Sequence, residues 1–218
     1  MFGMLSRPWP EVVQLVIVVV ISLTVHEYAH SLAALRLGDD TPRRLGRLTL
    51  NPLKHLDPVG FILLVVAGFG WAKPVIINPV NLKKPRRDEI VISLAGPVSN
   101  VVFAALGVAI VWLVHVTGAL VSQGSIHSFQ GFMVLLVEIN VSLAVFNMIP
   151  IPPLDGSHLV TPFLGKVNMN LAATYFRYGS FLLLAAIIFQ NVTRVEILPI
   201  GRVTLAIVIW MFRLVGMA

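Results

Sequence analysis

Long apolar stretches recur along this chain, and they constrain its fold more than any other feature. The clearest cover residues 11–37, 89–117, 129–149 and 170–190, and another lies at about 199–217. An α-helix needs roughly 20 apolar residues to cross a bilayer, and a spanning segment must satisfy its own backbone hydrogen bonds. The sequence therefore predicts an all-α polytopic membrane protein with about five to six transmembrane segments.

The composition supports a membrane location and limits the chemistry. Hydrophobic residues make up 57% of the 218 residues and charged residues 12%, whereas soluble domains carry about 25% charged residues. The chain has no cysteine, which excludes disulfides, a thiol nucleophile and cysteine-ligated zinc. Any bound metal ion must therefore be held by His, Asp or Glu.

The net charge of +6 comes mainly from two basic segments, residues 36–54 and 73–87. A nucleic-acid partner is one interpretation of this charge. However, the basic residues flank apolar spans, as the positive-inside rule expects of cytoplasmic loops. We therefore expect no nucleic-acid partner, and we expect both basic segments to lie on the cytoplasmic side.

A short apolar stretch separates the two basic segments. Residues 57–71 are too few for a full crossing and contain several glycines, so they predict a re-entrant or interfacial element. Residues 72–82 are rich in β-branched side chains but contain two prolines, which confine a strand to a sheet edge. They predict a membrane-associated edge strand or an extended loop.

The stretch HEYAH at residues 26–30 places ionisable side chains inside the first apolar segment. A charged side chain at the bilayer centre costs about 2.5–3.5 kcal/mol, so this stretch needs a compensating interaction. His26 and His30 share one helix face, and two imidazoles at this spacing can bind one zinc ion, with Glu27 as general base on a water molecule. The alternative is a polar cluster that joins neighbouring helices.

A catalytic zinc site uses three protein ligands, so another ligand must come from elsewhere in the chain. The candidates are the His and acidic residues near apolar segments: His55, Asp57, His115, Glu138, Asp155 and His158. Asp155 is favoured because it follows a proline-rich break at the end of the third span, and irregular backbone at membrane depth is tolerated where it lines a cavity. A helix N-cap is the alternative role for Asp155.

Two further histidines each allow two interpretations. His158, three residues after Asp155, either supports the metal ligands or occasionally binds the metal itself, or it is simply a polar residue at the cytoplasmic border of the membrane. His55 either approaches the site or orders its own loop.

Five motifs in order resemble the site-2 proteases, the intramembrane zinc metalloproteases of peptidase family M50. They are HEYAH, NPLKHLDPVG at 51–60, GFGWAKPV at 68–75, SLAGPVSN at 93–100 and NMIPIPPLDG at 147–156. The resemblance covers roughly residues 14–165. Two positions depart from the usual family pattern, since Ala29 and Ser157 stand where glycine is common.

The resemblance implies a catalytic centre and a substrate-binding set. His26, His30 and Asp155 would bind one Zn²⁺ per chain, and Glu27 would be the catalytic base. The substrate-binding residues would come from the 72–82 segment, which would pair with an unwound substrate by β-addition, and from two core helices: Val75, Ile76, Ile77, Asn100 and Asn147.

The resemblance also implies cleavage of the transmembrane segments of single-span membrane proteins inside the lipid bilayer. We expect one integral-membrane protease domain over residues 1–218, with a catalytic core at about 11–165, C-terminal spans at about 170–217 and no PDZ or CBS domain. The expected location is a prokaryotic inner or plasma membrane, with the active site toward the cytoplasm.

Two other classes of function compete with proteolysis. A metal or proton transporter also carries intramembrane His and acidic residues, but it predicts ligands on several spans and inverted repeats, which the sequence lacks. An inactive homologue that only binds membrane proteins would have no need of Glu27.

Overall fold

A computed structural model describes residues 8–67, 70–118, 123–167, 169–193 and 195–217, and these residues are almost entirely helical. The α-helices of the described chain are α1 (Trp9–Arg36), α2 (Thr41–Arg44), α3 (Pro58–Ala67), α4 (Pro85–Thr117), α5 (Gln123–Asn147), α6 (Ser157–Val167), α7 (Met169–Thr193) and α8 (Ile200–Leu214). Two short 3₁₀ turns, Pro52–Lys54 and Pro79–Asn81, lie between α1 and α4. Residues 68 and 69 of the GFGWAKPV motif lie outside the described residues.

Four helices of the described chain are long and apolar enough to cross a membrane: Trp9–Arg36, Pro85–Thr117, Ser128–Asn147 and Asn170–Gln190. The prediction of a helical protein with several membrane-spanning segments is therefore confirmed. A fifth or sixth span stays a prediction. The last helix, α8, has 15 residues and so rises about 22 Å, against a hydrocarbon core of about 30 Å.

The centre of the bundle is formed by α1, α4 and α5, with α8 packed against α5. A small residue lets α4 approach α5 closely, because a Cβ atom at Gly107 would lie 2.9 Å from Cγ2 of Val137. The buried apolar cluster at this crossing consists of Ala104, Val108, Val111, Met133, Val137, Val141, Val208 and Phe212. Such close packing fixes the relative position of the helices that carry the polar residues described below.

Helices α1 and α4 run antiparallel and bring the two basic segments to one end of the bundle. His30 of α1 lies beside Ile92 of α4, and His26 lies beside Asn100, so residue numbers rise along one helix as they fall along the other. The chain between α1 and α4 therefore begins and finishes at the same end, which we call the polar end.

The polar end contains α3 and, after it, the extended stretch 72–78. The 10 residues of α3 are too few to cross a bilayer, and its re-entrant insertion stays a prediction. An isolated antiparallel bridge joins Leu56 to Ala72, so the chain returns after α3 to the place it left. No strand is present in the described ranges, and of the two predictions for 72–82 the extended loop is observed.

Two buried charged side chains hold the extended stretch in place. The Arg47 guanidinium donates hydrogen bonds to the carbonyl oxygens of Lys73 and Pro74, both at 3.2 Å. A carboxylate oxygen of Asp39 accepts a hydrogen bond from the backbone N–H of Asn78 at 2.7 Å. The stretch is therefore anchored near both of its ends.

Asp39 also organises the start of the polar end. Its Oδ1 accepts hydrogen bonds from the N–H and hydroxyl of Thr41 and from the side-chain amide of Asn81. Burial raises the pKa of Asp39, but the hydrogen bonds from Thr41, Asn81 and Asn78 outweigh burial and hold this pKa below its ordinary value. Asp39 is therefore charged at neutral pH, and its stabilising contribution is lost as pH falls through the lowered pKa.

We expect Asp39→Ala to lower the free energy of unfolding by about 1.5–3 kcal/mol, because several donors lose a charged acceptor. Thermal unfolding in detergent at pH 7 measures this loss. Asp40→Ala is the matched control, since Asp40 is exposed and pairs only with the exposed Arg44 in the described structure. Equal melting temperatures for the two variants would contradict the anchoring role of Asp39.

Candidate metal centre

The HEYAH stretch lies well inside α1, where helical spacing places its two histidines on one face. The Nε2 atoms of His26 and His30 are 3.0 Å apart, and the two rings meet edge to face with centroids separated by 4.6 Å. Both side chains are buried, as is Glu27 between them in sequence. The prediction that one turn of α1 presents two imidazoles to a common point is therefore confirmed.

The proline-rich break after α5 brings Asp155 to the same point. The backbone N–H of Gly156 donates to the carbonyl oxygen of Asn147 at 2.7 Å, which folds the break back onto the end of α5. Asp155 then places Oδ2 at 3.2 Å from Nε2 of His26 and at 3.4 Å from Nε2 of His30. The structure thus brings together the three residues predicted as ligands.

The geometry of this trio fits a zinc ion. Ligands bound at about 2.0–2.1 Å in a tetrahedral site lie roughly 3.3 Å from one another, and the three observed separations are 3.0, 3.2 and 3.4 Å. The Oδ2 atom of Asp155 is buried and accepts no hydrogen bond in the described structure, as expected of an atom meant for a metal. Two imidazoles and one carboxylate are also a donor set that zinc accepts.

Helix α4 sets the orientation of both imidazoles. Nδ1 of His26 lies 2.6 Å from Oδ1 of Asn100, and Nδ1 of His30 lies 2.7 Å from the carbonyl oxygen of Ile92. Both partners are acceptors, so each Nδ1 carries the proton and each Nε2 keeps a lone pair facing Asp155. Such partners fix the tautomer and raise the basicity of a metal-ligating histidine.

Gly96 explains how α4 can approach the two rings so closely. It lies one turn after Ile92 and one turn before Asn100, on the same face of α4. A Cβ atom at Gly96 would overlap Nε2 of His30 and the ring of His26. The glycine of the SLAGPVSN motif is therefore a steric requirement of the metal group.

A buried polar network, which the sequence did not predict, lies behind His26. The side-chain amide of Asn100 donates to Oδ1 of Asn140 at 2.8 Å, and the amide of Asn140 donates to the Ser22 hydroxyl at 2.8 Å. These side chains are completely buried and join α1, α4 and α5. An asparagine in the middle of an apolar span was the available signal, because such residues are costly unless they are paired.

A cavity of about 570 Å³ opens onto the metal group. Glu27 also lines the cavity, and its role as the catalytic base stays a prediction. Several of the other sequence-predicted residues also line this cavity: Val75, Ile77, Asn147 and His158. Glu89 lines the cavity as well and was not among the predicted residues.

The extended stretch shows strand-like alternation at the cavity. Val75 and Ile77 face the cavity, whereas Ile76 between them does not line it and is 59% exposed. A role for Ile76 in substrate binding therefore depends on its backbone, and this role stays a prediction.

Besides Ile76, two other predicted residues do not line the cavity. Asn100 lies behind His26, so direct contact with substrate stays a prediction, while its contact with the ring is observed. His55 is completely buried away from the metal group, and its Nε2 donates to the carbonyl oxygen of Thr49 at 2.7 Å. Of the two interpretations of His55, the structure supports the one in which it orders its loop.

Comparison with known proteins agrees with this chemistry. The sequence profile of peptidase family M50 matches residues 113–190, which include Asp155. YwhC of Bacillus subtilis, named as a zinc metalloprotease, is 44% identical over 74% of this chain and 75% of its own length. Rip2 of Mycolicibacterium smegmatis is 31% identical over 79% of this chain and 66% of its own length. MJ0611 of Methanocaldococcus jannaschii is 33% identical over 56% of this chain and 61% of its own length. Both carry the same type of name, and no solved structure matches the chain.

We expect Asn100→Ala to weaken zinc binding by about tenfold to a hundredfold, the usual effect of removing the partner of a metal-ligating histidine. Competition with a zinc chelator in detergent measures the affinity. Ser22→Ala is the matched control, because it removes a buried hydroxyl from the same network that contacts Asn140 and neither Asn100 nor His26. Asp155→Ala, which removes a ligand, sets the upper limit of the loss. Unchanged affinity in Asn100→Ala would contradict the orienting role.

Proposed function

The chain belongs to peptidase family M50 and is a zinc metalloendopeptidase, and from this premise we propose that it cleaves the transmembrane segments of single-span membrane proteins. The observation that carries the proposal is the position of the metal group. His26 and His30 belong to a helix long and apolar enough to cross a membrane, and Asp155 meets them there. A hydrolytic centre at this depth favours substrates that reach it through the bilayer.

Each residue of the proposed catalytic centre has a separate role. His26, His30 and Asp155 would hold the zinc ion, which when bound polarises a carbonyl group and promotes the ionisation of water. The Glu27 carboxylate accepts the proton of the attacking water and delivers it to the nitrogen of the leaving amine. Asn100 and the carbonyl group of Ile92 hold the imidazole rings of His26 and His30 with their Nε2 atoms toward Asp155. The centre is therefore preorganised before substrate binds.

The extended stretch 72–78 is suited to receive an unwound substrate. A transmembrane helix must lose backbone hydrogen bonds before one of its peptide bonds can enter the centre, and unpaired backbone groups are costly in the bilayer. No backbone hydrogen bond is described for Val75, Ile76 or Ile77, while Arg47 and Asp39 anchor the chain on either side. Pairing of substrate with this stretch would compensate the lost hydrogen bonds by β-addition.

The distribution of charge supports an orientation in the membrane. The polar end carries both basic segments, and the positive-inside rule assigns such segments to the cytoplasm. The cavity at Asp155 lies toward the same end, because the extended stretch 72–78 lines it. We propose a prokaryotic inner or plasma membrane location with a cavity that receives water from the cytoplasm.

We expect Glu27→Gln to retain zinc and to lower cleavage by about a hundredfold or more, because general base catalysis contributes roughly 10²–10⁴-fold. N-terminal proteomics of host membranes, compared between wild type and Glu27→Gln, measures the loss as single-span proteins that remain uncut. Metal analysis of both purified proteins is the control. Identical fragment patterns with zinc bound in both would contradict proteolysis, and zinc flux that survives Glu27→Gln would favour transport.

We expect Ile76→Pro to reduce cleavage about fivefold or more without loss of zinc, because proline removes a backbone donor from the extended stretch. Cleavage is measured on a client that depends on Glu27. Ile76→Ala is the matched control, since it removes most of the side chain and keeps the N–H. Full activity of Ile76→Pro would count against pairing through this stretch.

A further inference from the structure

Glu89 is a carboxylate in the wall of the cavity that the hydrolytic chemistry does not use. It is partly buried and lines the same cavity as Glu27 and Asp155. It lies three residues before Ile92, whose carbonyl oxygen holds His30, and so about 4.5 Å nearer the polar end along α4. Among the described residues the candidate metal group consists of His26, His30 and Asp155, and Glu89 is not part of it.

The usual structural roles of such a carboxylate are filled by its neighbour. Asp88, the preceding residue, accepts a hydrogen bond from the backbone N–H of Lys84 at 2.8 Å and so caps the start of α4. Glu89 lies beyond the first turn, where the helix dipole has little effect. No ion pair of Glu89 is present in the described part of the chain.

A divalent zinc ion on the metal group would balance the charges of Glu27 and Asp155, which leaves Glu89 as the uncompensated carboxylate among the described residues that line the cavity. Among the described residues, neither lysine nor arginine lines the cavity. The start of α4 and the turn before it carry exposed basic side chains: Lys83, Lys84, Arg86 and Arg87. A basic group on an incoming chain is repelled by this surface and attracted into the cavity, where Glu89 is the carboxylate nearest the polar end along α4.

We propose that Glu89 binds a lysine or arginine side chain on the cytoplasmic flank of the substrate's transmembrane segment, and so sets which peptide bond reaches the metal group. This inference rests on the proposed function. Single-span proteins carry lysine and arginine at this flank, and a partly buried carboxylate without a partner favours a positive counter-charge.

The position of Glu89 predicts how many residues separate the basic residue of the substrate from the scissile bond. An extended substrate advances about 3.3 Å per residue, and a lysine or arginine side chain reaches several ångströms farther. The basic residue should therefore lie roughly two to four positions from the scissile bond, toward the cytoplasm. Glu89 would act on specificity and not on the chemical step.

The first test compares host membranes containing wild type, Glu27→Gln, Glu89→Gln and Asp40→Asn by N-terminal proteomics. Fragments lost in Glu27→Gln define the clients. The proposal expects those clients to carry lysine or arginine two to four positions from the cut, and their fragments to fall about fivefold to tenfold in Glu89→Gln. Asp40→Asn is the control, because it removes one negative charge from the polar end outside the cavity.

The outcomes separate the two proposals. Absence of any fragment that depends on Glu27 would overturn the proposed function, and this inference with it. Fragments that depend on Glu27 but show neither a basic flank nor a response to Glu89→Gln would overturn the inference alone.

A charge exchange gives a second and independent test. The most abundant client is reconstituted with the purified protease in liposomes, and its flanking lysine is changed to glutamate. Each single reversal, in the client or as Glu89→Lys in the protease, should lower kcat/KM about fivefold to tenfold with zinc content unchanged. The two reversals together should recover most of the loss, and failure to recover it would overturn the proposal even if Glu89→Lys is less stable.

Discussion

The close contact of α4 with the two imidazoles of α1 is the constraint on which the rest of this structure depends. Two histidines inside an apolar bundle are tolerated only if every ring nitrogen has a partner. The same face of α4 supplies the Ile92 carbonyl, the space at Gly96 and the Asn100 side chain, each one turn after the last. That face leaves the two Nε2 atoms free for Asp155 and a metal ion.

The need for hydrogen-bond partners also applies to the buried side chains behind the two imidazole rings. The Asn100 side chain, whose oxygen faces His26, donates through its amide to Oδ1 of Asn140 at 2.8 Å and to the carbonyl oxygen of Ser22 at 3.5 Å, and Asn140 in turn donates to the Ser22 hydroxyl. These contacts tie together three helices whose apolar surfaces would otherwise pack in several registers. A fully paired polar network specifies one arrangement, whereas a partly paired one would be more costly than an apolar core. The metal group and the helix packing are therefore one structural unit.

At the polar end the main constraint is how the extended stretch 72–78 is anchored. If the stretch 72–78 pairs with substrate as proposed, it must be held in place while its own backbone groups stay unpaired. Charged side chains achieve this from the flanks, since Arg47 and Asp39 bind the backbone on either side of Val75–Ile77. Unpaired backbone groups are tolerated where they line a water-filled cavity, and Val75 and Ile77 line the cavity at the metal group.

The chemistry of this protein could be predicted from local sequence, because the informative spacings are short. Helical periodicity places His26 and His30 on one face, proline ends α5 before Asp155, and apolar length identifies the spans. Predictions that depend on local geometry at the ends of elements were weaker. A segment of β-branched residues and prolines at 72–82 allows both strand and loop, and only its contacts show the extended loop.

What the sequence predicted by itself was the three residues that the structure brings together as a candidate metal group, the helical membrane architecture and the basic end of the bundle. The tertiary structure alone decided which side chains stand behind the ligands and which face the cavity. Asn140, Asp39 and Glu89 are polar residues among many in the sequence, and spacing along the chain does not distinguish them; Asn100 belongs to a motif, but the motif does not predict its contact with His26. Their roles arise from contacts between residues up to 118 positions apart, which depend on how the helices pack and not on any local pattern.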